Sequence, residues 1–170
     1  MEHLFAPWRE KYSQSIERTK DESSPEKTCI FCNIFKKSDD EHLFILRRFS
    51  SMVAMLNRYP YNAGHILILP HTHVADLHTL NKEERQELME ITNASVEIVK
   101  NSLTCDGVNV GINLGKAAGA GIHSHLHMHI LPRFFGDTNF LPTLAETKQI
   151  SFDLNKIYMQ LKPAFDALSI

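Results

Sequence analysis

Three histidines stand at alternate positions in the segment His125-Leu126-His127-Met128-His129-Ile130-Leu131. An imidazole can be a nucleophile, a proton carrier or a metal ligand near neutral pH. Period-two spacing identifies the segment as a strand, with His125, His127 and His129 on one face and Leu126, Met128 and Ile130 turned to the core. Alternate side chains on a strand lie about 6.6 Å apart. That is too far for three imidazoles to share one metal ion without distortion, and a good distance for neighbouring tasks on an elongated polyphosphate. A plain His-rich metal tract would not need the alternating apolar partners. The chain holds ten histidines in 170 residues, with His71, His73 and His123 near the strand or the segment expected to pair with it.

Two further groups carry chemical potential. Cys29 and Cys32 have Cys-x-x-Cys spacing, which suits a shared tetrahedral metal or a redox pair. No thioredoxin-like helix start accompanies them, which argues against the redox role. The third cysteine, Cys105, has no partner in the sequence and reads as a semi-buried thiol. Asn113 to Gly121 is a Gly/Ala-rich loop, small enough for backbone N–H groups to approach phosphate oxygens.

These residues need elements to hold them. Leu43–Arg47, Ser51–Leu56, His65–Leu69, Val108–Ile112 and Leu126–Leu131 read as five strands. Asn81 and Glu84 have the spacing of a capping box, and Leu88, Ile91, Ser95 and Ile98 recur at helical period, so a long helix is expected from Asn81 to about Asn101. Asn155–Leu168 reads as a C-terminal helix that Pro163 kinks or divides. The link between the last two strands is too short for a crossover helix, so they pair antiparallel. The expected class is α+β: one mainly antiparallel five-stranded sheet with a long helix on one face and a C-terminal helical segment. Residues 1–28 read as a peripheral segment, charged and Ser-rich toward its end, and 29–170 as a single domain.

Bulk properties remove several classes of function. Net charge is −2, so nothing in the balance points to a nucleic-acid polymer. No apolar run approaches a membrane span and no secretory leader is evident, so the expected compartment is the reducing cytoplasm.

The segment His125–Leu131 resembles the His-φ-His-φ-His-φ-φ signature of the histidine triad (HIT) family, where φ is apolar. Pro132-Arg133 follows it, as is usual there. Cys29-Ile30-Phe31-Cys32, Asn62–Pro70 and Gly111–Gly115 resemble other segments of that family. Leu4–Arg9 and Arg133–Phe140 resemble the branch that contains diadenosine tetraphosphate phosphorylases and hydrolases. The resemblance implies a HIT-like fold and a set of roles. His127 attacks the α-phosphorus of a nucleotide, while His129 and His65 support it beside the phosphates. Asn57 meets the ribose hydroxyls, and Asn113, Gly119, Ala120 and Gly121 meet phosphate. Apart from the resemblance, Phe134, just after Pro132-Arg133, is a candidate either to stack on a distal base or to serve ordinary packing. The resemblance also implies a structural zinc held by Cys29, Cys32, His73 and His125, with His71 a competitor for the third place, and a homodimer.

One departure from the family pattern bears on the reaction. Hydrolases of the family commonly carry Gln four residues before the first triad histidine, and some phosphorylases carry Ser; here the residue is Gly121. The expected activity is cleavage of dinucleoside polyphosphates through a nucleotidyl-histidine, by phosphorolysis or hydrolysis. The competing readings are a nucleoside phosphoramidate hydrolase and a nucleotide-binding regulatory module. An intact His127 argues against the latter, since a pure binder needs no nucleophile.

Overall fold

In the computed structural model, residues 29–137, 140–145 and 152–170 are described. The expected peripheral segment 1–28, its Leu4–Arg9 motif and Thr138-Asn139 lie outside them. The described residues open with a short helix α1 (Ile30–Phe35) and three strands, β1 (Ile45–Arg48), β2 (Met52–Leu56) and β3 (Ile66–Pro70). Next come the long helix α2 (Lys82–Leu103) and strands β4 (Gly107–Ile112) and β5 (Met128–Arg133). Helices α3 (Phe140–Ala145) and α4 (Leu154–Asp166) complete it.

The five strands form one sheet in the order β1-β2-β3-β5-β4, and every neighbouring pair is antiparallel. This is the expected α+β architecture. β4 and β5 pair from Gly107–Arg133 to Ile112–Met128 through the loop that joins them. Because β3 pairs with β5, the residues flanking His65 come to lie beside those flanking His129.

Both faces of the sheet are covered, which is why β2 and β3 are buried at every position. Met52, Ala54, Leu56, Ile66, Ile68, Leu126, Met128 and Ile130 pack with Leu88, Ile91, Ile98 and Val99 of α2 and Tyr158, Leu161 and Phe165 of α4. Val53, Met55, Leu67 and Leu69 face the other way and pack with Cys29, Phe31 and Cys32. The period of two thus divides a large helix-covered core from the face that carries the chemistry.

Helix α2 begins where its sequence dictates. Asn81 Oδ1 accepts the Glu84 N–H and Glu84 Oε2 accepts the Asn81 N–H, both at 2.8 Å. Helix α4 runs through Pro163 without dividing, so the expected kink or division is not found. Ile30–Phe35, assigned to none of the expected elements, forms a helix, and one strand boundary is corrected. The β5 ladder begins at Met128 rather than Leu126, because no neighbouring strand pairs with His125, Leu126 or His127. Among the described residues, no helix is long and apolar enough to cross a membrane.

Candidate functional site

His127 carries the clearest chemical assignment. Its Nδ1 lies 2.8 Å from the carbonyl oxygen of His125. A carbonyl only accepts, so Nδ1 carries the proton and Nε2 is left with a free lone pair. The ring is 7% exposed, and burial holds its pKa below the ordinary value, opposed by the bond to that carbonyl. The side chain is therefore a neutral imidazole with one nitrogen free to attack.

A second pair of histidines is oriented by a relay. The backbone N–H of Tyr61 donates to His65 Nδ1 at 3.2 Å, and the Asn57 amide lies 3.3 Å from the same nitrogen. His65 Nδ1 is thus an acceptor, and its proton sits on Nε2. Nε2 in turn lies 2.9 Å from His129 Nδ1, so His65 donates and His129 accepts. The His129 proton is then forced onto Nε2. That atom is buried and has no hydrogen-bond partner among the described residues. An orphaned buried donor is costly unless a ligand satisfies it. The Tyr61 ring covers both imidazoles, 4.9 Å from His65 and 6.2 Å from His129. Burial, reinforced by the neighbouring histidines, pushes His65 down to about 3, and burial with His127 pushes His129 to about 4. Both are uncharged at neutral pH.

A cleft of 730 Å³ opens onto this face. Its apolar part is formed by Ile30, Phe31 and Ile34 of α1 together with Leu43, Met55 and Leu67. Its polar part is formed by Asn57, Asn113, Gly119, Gly121, His127 and His129. The volume is that of an ordinary small-molecule site, with an apolar slot and a few convergent polar groups. The charged side chains lining it are Lys37 and Arg58, both cationic. Gly119 takes φ +88°, a conformation that favours glycine, at the end of a single 3₁₀ turn, Lys116–Ala118. His65 is buried behind His129, and neither Ala120 nor Phe134 is among the lining residues. Phe134 follows β5, and its backbone N–H donates to Asp137 Oδ2.

A cluster of cysteines and histidines lies beside His127. Ligand atoms of Cys29, Cys32, His73 and His125 all fall within 4.8 Å of one another. The Cys29 and Cys32 sulfurs lie 3.3 and 3.6 Å from His125 Nδ1, and Cys32 Sγ lies 3.3 Å from His73 Nδ1. Tetrahedral zinc with bonds of about 2.3 Å to sulfur and about 2.0 Å to nitrogen sets S···N separations near 3.5 Å, so the donor set fits that ion. His125 Nε2 donates to the Pro70 carbonyl at 2.9 Å, which leaves Nδ1 unprotonated and turned to the sulfurs. His71 is the rejected competitor, since its Nε2 pairs with the Phe49 carbonyl at 3.2 Å. Cys105 is half-buried and outside the cluster. These cysteine and histidine residues make a closed Cys2His2 set, as a structural zinc site requires.

Sequence reasoning missed four contributors: the Tyr61 N–H and ring, the Pro70 carbonyl, and the α1 wall of the cleft. Only the last left a trace in the sequence, too short to set a helix apart from a buried strand. Ile30, Phe31 and Ile34 fall at helical spacing between and beyond the two cysteines.

Known proteins resemble this chain over most of its length. The HIT domain model matches residues 39–136. The chain is 36% identical over 151 residues to a Mycobacterium tuberculosis protein named AP-4-A phosphorylase, covering 88% of this chain and 77% of that one. It is 31% identical over 123 residues to an uncharacterized HIT-like protein of Saccharolobus solfataricus, covering 72% and 86%. Among solved structures, a zinc-bound histidine triad family protein from Mycobacterium smegmatis superposes with a TM-score of 0.67 at 27% identity, covering 83% of this chain and 95% of that one.

Proposed function

The chain belongs to the HIT domain family, and from that premise we propose that it cleaves dinucleoside polyphosphates such as diadenosine tetraphosphate through a nucleotidyl-His127 intermediate, with orthophosphate as the preferred second acceptor. The observation that carries this reading is the fixed tautomer of His127, its Nδ1–H bound to the His125 carbonyl and the ring lining the cleft.

In the first step the Nε2 lone pair attacks the α-phosphorus. A P–N bond forms, the P–O bond to the bridging oxygen breaks, and the remaining polyphosphate leaves with that electron pair. The His129 Nε2–H donates to a phosphoryl oxygen as negative charge builds on it. A preorganised donor of this kind is worth roughly 10²–10³ in rate. In the second step an acceptor oxygen attacks the same phosphorus, the P–N bond breaks, and neutral His127 is regenerated. The apolar slot formed with α1 suits a base, and Asn57, Asn113 and the 113–121 loop lie on the polar side with the reacting phosphate. Phe134 has a place in this reading only beyond the cleft, on a distal base.

Cys29, Cys32, His73 and His125 would hold a zinc ion, which would supply a structural cross-link between the start of α1 and the segment that carries His127.

The acceptor follows from position 121. Gly121 lines the cleft and offers only a backbone N–H, which leaves room for an orthophosphate where a long amide would stand. The similarity to a protein named AP-4-A phosphorylase supports the same choice. A Cys-x-x-Cys pair that serves as metal ligands and forms no disulfide suits a reducing compartment, and the exposed residues of edge strand β4 offer a place for a second copy.

Product analysis with diadenosine tetraphosphate tests the proposal. With orthophosphate the expected products are ADP and ATP in equal amounts, and ADP disappears when phosphate is withheld. AMP formed at the same rate with and without phosphate would replace phosphorolysis by hydrolysis. Turnover confined to adenosine phosphoramidate would replace the substrate class.

A further inference from the structure

The segment that carries the nucleophile is not part of the sheet ladder. β5 pairs with β3 and β4 only from Met128 onward, through Ile68–Met128 on one side and Ile112–Met128 on the other. What holds His125–His127 must therefore be sought outside the sheet. The Leu126 N–H donates to the carbonyl of Val74 at 2.6 Å, and Val74 is the neighbour of His73. The His125 ring donates to the carbonyl of Pro70 and faces the two sulfurs with its other nitrogen. The His125 carbonyl, finally, is the group that accepts the His127 Nδ1–H. Phe31, between the two cysteines, meets both rings, 5.5 Å from His125 and 5.7 Å from His127.

One residue thus belongs to two systems. The side chain of His125 is a metal ligand, and its carbonyl is the orienting group of the nucleophile. The geometry points to the Cys29–Cys32–His73–His125 cluster as the positioning device for His127, in addition to its role as an anchor for α1. This inference rests on the reading of His127 as nucleophile given above. Its physical basis is rotational. With the His125 ring held at both nitrogens, the residue cannot turn about its backbone, and its carbonyl stays aimed at His127 Nδ1. With the metal ligation broken, the His125 ring keeps the Pro70 bond, and its peptide keeps only the Leu126 N–H bond to Val74, whose own position depends on His73, a member of the same cluster; both anchors loosen together and the carbonyl loses its aim. The His127 proton then has no preferred nitrogen, and the attacking lone pair is present in only part of the population.

The test uses the full zinc-loaded chain and the Cys32→Ser variant. Nitrogen-15 spectra of the imidazoles are recorded alongside kcat, KM, zinc content and unfolding midpoint. In the zinc-loaded chain His127 is expected as a single Nδ1–H tautomer. In Cys32→Ser that signature collapses toward an average of both tautomers, and kcat falls roughly 10- to 100-fold. Cys32→Asp, which returns a ligand oxygen, is expected to recover zinc, the single tautomer and most of kcat. If Cys32→Ser does not fold, the same measurements are made on the unaltered chain with zinc exchanged for cadmium, a larger ion. Displaced His127 resonances and a kcat lowered at least about threefold are then expected. A Cys32→Ser protein that has lost zinc yet keeps one His127 tautomer and unchanged kcat overturns the inference, as does a cadmium form indistinguishable from the zinc form. The spectra need no substrate, so they decide the positioning role even if absence of turnover removes the proposed reaction.

Discussion

Acid should destabilise this fold through His65 in a way that a single substitution isolates. His65 is 1% exposed, and burial holds its pKa near 3 against 6.5 for a free imidazole. Between those values the unfolded chain binds a proton that the folded chain refuses. Folded stability is therefore complete above about pH 6.5 and declines as pH falls toward 3. At pH 5 the unfolded imidazole is almost fully protonated and the folded one almost not, which costs about 2 kcal/mol relative to pH 8. That is a large part of the 5–15 kcal/mol typical of a domain. His129, shifted the same way, adds a loss of the same sign. Acid also weakens the zinc site, so the wild-type curve alone does not isolate His65. His65→Gln keeps an amide donor for His129 and cannot titrate. Urea unfolding of both proteins at pH 8, 6.5 and 5, with zinc in excess, gives the difference. The wild type is expected to lose about 2 kcal/mol more than the variant between pH 8 and 5. Parallel curves would mean that His65 titrates normally, and the relay that places the His129 proton on Nε2 would fall with it.

His127→Asn removes the proposed nucleophile and keeps a side chain of polar character in the cleft. Turnover of diadenosine tetraphosphate should fall by roughly 10⁴ or more, while the Kd for a nucleotide, read by calorimetry, changes only a few-fold. Gly64→Ala is expected to lower stability by about 1–3 kcal/mol in denaturant unfolding. Gly64 takes φ +74°, and a methyl group there meets Leu103 of α2 and Pro132 of β5, so the turn that precedes His65 must shift. An unchanged unfolding midpoint would contradict that contact.

Much of this protein is written in short stretches of its sequence. The His-Leu-His-Met-His-Ile alternation assigned faces correctly, because side-chain direction in extended backbone follows from geometry two residues at a time. The capping box at Asn81 and Glu84 placed the start of α2, since both of its hydrogen bonds close within one turn. The Cys29–Cys32 spacing announced a metal site for the same local reason. Helix α1 escaped notice because it spans only six residues, too few for helical periodicity to separate from a buried strand.

Tertiary structure decided what depends on groups far apart in the chain. His73 rather than His71 faces the sulfur of Cys32, 41 positions away, where the family resemblance had left His71 as a competitor. His65 reaches His129 across 64 positions only because β3 pairs with β5. The proton on each imidazole was set last of all, by a backbone N–H at Tyr61 and carbonyls at Pro70 and His125. Every residue other than proline carries an N–H, and every residue carries a carbonyl, so no residue letter records which of them will face a histidine. That choice is made only when the sheet closes and burial strips the rings of water.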